Sequence, residues 1–149
     1  MKWFKWLAVF GVMMAVAGQA QARSSVPIVD YEDQMIVRAD GKKLTEEEVR
    51  KAIIRAGTKR KWSLSNPGGN NVIRALYHIR SHDALVNITY SAERFSVKYH
   101  DSENLNYAKV DTPQLVHGQI INPGQRIIHP FYNDWVRQLV EEIQQALQE

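Results

Sequence analysis

Between Val72 and His100 the chain alternates apolar and polar residues in three consecutive runs, and this period of two constrains the fold more than any other feature of the sequence. In the first run Ile73, Ala75, Tyr77 and Ile79 fall on one side, and Arg74, His78 and Arg80 on the other. In the second, Val86, Ile88 and Tyr90 alternate with Asn87 and Thr89; in the third, Phe95, Val97 and Tyr99 alternate with Ser96 and Lys98. Successive side chains of a strand point to opposite faces, so each run reads as a strand with one apolar face. Residues 81–83 and 91–94 read as the turns between them. The expectation is an antiparallel meander covered on one side.

Two helical patterns supply the cover. In LTEEEVRKAIIRAG, Thr45 and Glu48 form a capping box, and three glutamates sit where the helix dipole favours negative charge. Val49, Ala52, Ile53 and Ala56 recur at helical spacing, and Gly57 suits a left-handed residue closing the helix. At the other end of the chain Pro130 is pre-set for a first helical turn, and Tyr132, Trp135, Val136, Leu139, Ile143 and Leu147 form one stripe. Trp62 and Leu64 read as a short strand, followed by a turn at residues 66–70. The order is helix, about four strands, helix. That predicts an α+β domain over residues 44–149, an antiparallel meander with an N-terminal and a C-terminal helix packed on one face. Residues 23–43 read as an N-terminal arm, with an edge strand at residues 34–37. Residues 108–128 read as a turn-rich insertion in which Ile120-Ile121 and Ile127-Ile128 flank Asn-Pro-Gly-Gln as a small hairpin.

The first 22 residues predict export. Lys2 and Lys5 precede an apolar run of eleven residues, 7–17, and Ala20-Gln21-Ala22 gives the small-x-small cleavage pattern, with cleavage after Ala22. The run is shorter than the roughly 20 residues that cross a bilayer, so no transmembrane segment is expected after cleavage. The location expected is the periplasm or the exterior. Removing 1–22 takes two of the 19 basic residues and none of the 16 acidic ones, leaving a balance of +1. Nothing in that balance calls for nucleic acid. With no cysteine there is no disulfide, thiolate metal site or cysteine nucleophile, and no residue to accept a lipid.

Chemistry-bearing residues are sparse. His100, Asp101 and Ser102 are adjacent, and adjacent residues on a strand diverge, so they read as a turn. Among His78, His82, His100, His117 and His129 no His-x-x-x-His pair lies on a predicted helix, since His78 and His82 flank a predicted turn; no Asp-rich loop suits calcium, and no cofactor is expected. Two cationic candidates stand out. Lys59, Arg60 and Lys61 beside Trp62 read either as an anion-binding patch with an aromatic anchor or as charge complementing a helix end next to a core tryptophan. Arg74, His78 and Arg80 read either as a cationic stripe for a carboxylate or phosphate group or as a solvated sheet face.

Several short motifs carry a resemblance. Trp62 ends a helical segment. His82, Ala84, Val86, Ile88 and Tyr90 form a His-x-Ala-x-Val-x-Ile-x-Tyr strand. Ser102, Asn104, Leu105 and Tyr107 form a Ser-x-Asn-Leu-x-Tyr turn, and Tyr132, Asn133, Trp135 and Val136 begin a helix. Across about 100 residues the chain resembles a family of small exported bacterial proteins, many of them lipoproteins, with no assigned activity. It differs in lacking a lipid-accepting cysteine and in a longer 108–128 stretch. The resemblance implies the fold and an envelope location and brings no catalytic residues. Asn104 and Asn133 fall at its corner motifs, where they bond local backbone or line a groove.

The function expected is therefore a non-enzymatic binding or protein-interaction module of the cell envelope. Its partner would be an envelope protein or a small anionic ligand. The alternatives are a hydrolase of envelope material, with His82 or His100 as base and Asp83 or Asp101 as carboxylate, and an anion or lipid-headgroup binder through residues 59–61.

Overall fold

The alternation of residues 72–99 and the helical stripes on either side of it form the elements they predict. The computed structural model describes residues 25–149; the expected signal peptide and its cleavage after Ala22 lie outside the described residues. In chain order the elements are β1 (Val26–Pro27), β2 (Tyr31–Met35), α1 (Glu46–Lys59), β3 (Ser63–Ser65), β4 (Val72–Ile79), β5 (His82–Tyr90) and β6 (Arg94–Glu103). They continue as β7 (Ala108–Lys109), β8 (Gln114–Val116), β9 (Gln119–Ile121), β10 (Arg126–Ile128) and α2 (Pro130–Ala146). The main sheet has five strands in the order β2-β6-β5-β4-β3, and all its neighbours are antiparallel.

Both helices cover one face of this sheet, giving the α+β architecture. Val49, Ala52, Ile53 and Ala56 of α1 and Tyr132, Val136, Leu139 and Ile143 of α2 are buried against Ile73, Ala75, Ala84, Val86, Ile88, Phe95 and Val97. Each such valine, leucine, isoleucine or phenylalanine contributes about 1.5–3 kcal/mol by leaving water. The capping box forms: Glu48 N–H donates to Thr45 Oγ1 at 3.2 Å and Thr45 N–H to Glu48 Oε2 at 2.8 Å.

Strands exceed the four expected, because the predicted arm and insertion also pair. The arm supplies β1, paired with β10, and β2, the outer strand beside β6. β2 reads YEDQM and carries a register shift where Asp33 takes φ +47°, so apolar alternation never marks it. The hairpin expected around residues 122–125 does not form. The turn is there, with Gln125 N–H on the Asn122 carbonyl at 3.2 Å, but Gly124 N–H bonds the Val110 carbonyl at 2.7 Å. That bond holds the turn against β7, so β10 pairs with β7 and β1 while β9 pairs with β8. Val110, Val116, Ile121 and Ile127 fill a second, smaller core beneath these strands.

Three local expectations are corrected. The turn after β4 is Arg80-Ser81 rather than 81–83. β6 does not end at Tyr99: Val86 opposes Tyr99 but Leu85 opposes Asp101, so His100 is an extra, bulged residue and the strand continues to Glu103. Gly57 lies within α1, where a Cβ would come within 2.8 Å of the Leu64 side chain. The left-handed residue closing the helix is Lys61, at φ +64°, with Trp62 N–H on the Gly57 carbonyl at 2.9 Å.

Candidate functional site

The 59–61 cations sit where α1 ends, beside α2. Lys59 Nζ lies 2.5 Å from Glu142 Oε1 and Arg60 Nε 3.2 Å from Glu142 Oε2. Glu142 is buried on α2, so two of the three cations join the helices to each other. Lys61 is exposed and has no ion-pair partner among the described residues. Trp62 is buried, its ring 5.2 Å from Tyr77, and Tyr77 is 5.1 Å from Trp135. The row continues through Phe131, 5.9 Å from Trp135, to His129.

The hydrogen bond from Lys59, with both cations adding attraction, holds the Glu142 carboxyl below its ordinary pKa against the opposing cost of burial. A carboxylate whose pKa is depressed on folding stabilises the fold above its unfolded pKa and loses that contribution as pH falls through the folded value. The contribution therefore fades below about pH 4.3, the ordinary glutamate value. Glu142→Gln should lower the melting temperature at neutral pH and flatten its fall on acidification. Parallel melting-temperature curves for the two proteins over the acid range would show that the pair contributes nothing.

The second candidate group is only partly assembled. Arg74 Nε donates to Asn87 Oδ1 at 3.1 Å, and Asn87 Nδ2 lies 3.3 Å from His100 Nδ1. The polar row thus runs across β4, β5 and β6. His78 makes a separate cross-strand pair, Nδ1 to Asp83 Oδ1 at 2.5 Å. Arg80 leaves the sheet face altogether, because it occupies the hairpin tip with φ +57°. Leu76 and Leu85 oppose each other between the Arg74–Asn87 and His78–Asp83 pairs.

The residues considered for hydrolysis have other partners. His82 Nδ1 lies 2.8 Å from the Asn104 carbonyl, and Asp101 Oδ1 accepts from Ser102 N–H at 2.8 Å. Ser102 Oγ is 2.9 Å from Tyr99 Oη. Among the described residues no group of three or more His, Cys, Asp and Glu side chains converges on a metal position.

Both corner asparagines bond backbone. Asn104 Nδ2 donates to the Ser81 carbonyl at 2.6 Å. Asn133 Nδ2 donates to the Pro27 carbonyl at 2.8 Å and its Oδ1 accepts from Val29 N–H at 3.1 Å. Nearby, Tyr99 stacks on Tyr107 at 4.9 Å and meets the edge of Tyr132 at 5.5 Å. Arg126 lies over the Tyr99 ring and pairs with Asp30 at 2.7 Å.

Sequence reasoning missed one surface. On the β8–β9 hairpin Leu115 and Ile120 are Cα partners, 74% and 65% exposed, and so share one outward face. The two-residue turn is His117-Gly118, at φ +49° and +78°, both in the left-handed region that the type I′ hairpin turn requires. The signal was legible: Gln-Leu-Val and Gln-Ile-Ile flank a His-Gly pair. The competing Asn-Pro-Gly turn drew the pairing to the wrong side.

No protein-family model, no curated protein and no solved structure matches the chain. Among the described residues no helix is long and apolar enough to cross a membrane.

Proposed function

We propose that the chain is an exported, non-enzymatic interaction module of the cell envelope, related to the small exported proteins whose motifs it resembles, and that the β8–β9 hairpin is its docking element. The observation that carries this reading is the exposed Leu115–Ile120 pair. Two large aliphatic side chains opposite one another on a two-stranded ribbon leave apolar area in water, and a partner with an apolar cleft removes it. Neither β8 nor β9 pairs with another strand, so each presents an outer edge that a partner's strand can extend. The hairpin stands on the second core rather than on the main one, so it offers this face without disturbing the helices.

The test is a pull-down from envelope extract with the wild type, a Leu115→Ser/Ile120→Ser variant and a Lys59→Ala/Arg60→Ala/Lys61→Ala variant. The hairpin variant should lose the partner while its melting temperature stays within a few degrees, since exposed substitutions usually change stability by less than about 0.5 kcal/mol. A partner kept by the hairpin variant and by Glu142→Gln, which breaks the same ion pairs, but lost by the triple-alanine variant would move the function to the cationic residues.

A further inference from the structure

A separate recess lies at the β2 margin of the main sheet, where the chain crosses to α1. Residues 36–44 are fastened there at several points. Ile36 N–H bonds the Glu93 carbonyl at 2.8 Å, and Gln148 bonds both the Val37 carbonyl and Ala39 N–H. Arg38 binds Asp40 through two nitrogens and the Leu147 carbonyl through the third. Between this strap and the β5–β6 turn runs a groove of about 370 Å³, a size in the range of small-ligand sites.

The groove has two chemistries. Its walls include Met35, Ile36, Val37, Leu44 and Ala92. Met35 and Val37 are 63% and 70% exposed, so the apolar lining stands in water and gains by being covered. The rim carries Arg38, Lys42 and Lys43 against one carboxylate, Glu93. These cations are not equivalent. Arg38 has its donors engaged by Asp40 and Leu147, and Lys42 sits 3.6 Å from Glu48. Lys43 has no partner among the described residues. A ligand that satisfies this groove has an apolar body and one compact anion at its end.

We propose that the groove binds a free single-chain amphiphile with a carboxylate head. The acyl chain lies along Met35, Val37 and Leu44, and the carboxylate meets Lys43, with Lys42 as second donor. A groove of this size takes one chain, which favours a monomeric acyl anion over a two-chain lipid held in a bilayer.

Isothermal titration of the purified full chain with decanoate and with 1-decanol, both below aggregation, tests this. Residues 1–24 are common to every protein in the comparison. Decanoate should bind saturably, about tenfold tighter than decanol, the size of effect that one or two partly exposed charge contacts give. Lys42→Gln/Lys43→Gln should bring decanoate down to the decanol level and leave decanol unchanged, which also shows the groove still formed. Val37→Asp should weaken both. The proposal fails if decanoate does not saturate the wild type, or if the double lysine variant binds it as tightly. It fails equally if binding is seen only to phosphatidylglycerol vesicles.

Discussion

Tyr132→Ala is expected to cost about 3–5 kcal/mol of folding stability, whereas Tyr132→Phe is expected to raise stability by about 1 kcal/mol. Tyr132 is fully buried in the first turn of α2, its ring against Tyr99. Truncating it removes a large apolar surface and leaves a cavity that rigid neighbours fill poorly. The hydroxyl is another matter. It is buried and has no hydrogen-bond partner among the described residues. Burial, with smaller contributions from Asp30 and Tyr99, pushes the phenol far above the ordinary tyrosine pKa, so it stays neutral. A buried hydroxyl with no protein group to bond costs about 1–3 kcal/mol. Deleting only the oxygen keeps the ring and removes that cost. Denaturant midpoints at unchanged slope measure both variants. A Tyr132→Phe protein less stable than wild type by more than about 1 kcal/mol would mean that the hydroxyl is satisfied after all.

Phe95→Ala is expected to cost a similar amount, about 3–5 kcal/mol, and to loosen the strap at residues 36–44 as well. Phe95 is buried on β6, with Gln34 of β2 and Tyr90 of β5 as its Cα partners. It also forms part of the wall of a recess shared with Ile36, Val37, Leu147 and Gln148. Its removal opens the core toward that recess and takes away the floor beneath the strap. Amide hydrogen exchange at Ala39, whose N–H is held by Gln148, should then accelerate more than the global loss of stability accounts for. Phe95→Leu keeps most of the volume and should leave Ala39 close to its wild-type protection. An Ala39 amide unaffected by Phe95→Ala would uncouple the strap from this part of the core.

What the sequence made legible was local. The Thr45–Glu48 box lies within four residues, and the β4 and β5 strands announce their buried face by alternation. What it hid depends on residues far apart. Glu142 is one of two adjacent glutamates on α2, and nothing near it says that one is buried against Lys59 and Arg60. β2 is polar because its outer side faces water and its bulge interrupts the pattern. The bulge at His100 made the alternation seem to stop, although the strand ran on to Glu103. Arg80 fitted the Arg74–His78 periodicity on paper, yet the tight turn begins one residue earlier and takes it off the sheet. The two apolar surfaces used in the proposals were hidden for a similar reason: exposure of Leu115, Ile120, Met35 and Val37 follows from which strands pair and not from the residues themselves.

The long bond from Val29 to Asn133, 104 residues away, and that from Gln148 to Val37, 111 residues away, set an order of assembly. The strands β3 to β6 each pair with a sequence neighbour and can close as soon as they are made. β1 has only β10 to pair with, and the strap waits for Leu147 and Gln148, just past the end of α2. Closing so long a loop adds little to the equilibrium cost but slows the search. During synthesis β2 can pair once β6 is made, whereas β1, which emerges before it, must wait for β10. Until then β1 remains open to a chaperone, or to another chain's sheet edge.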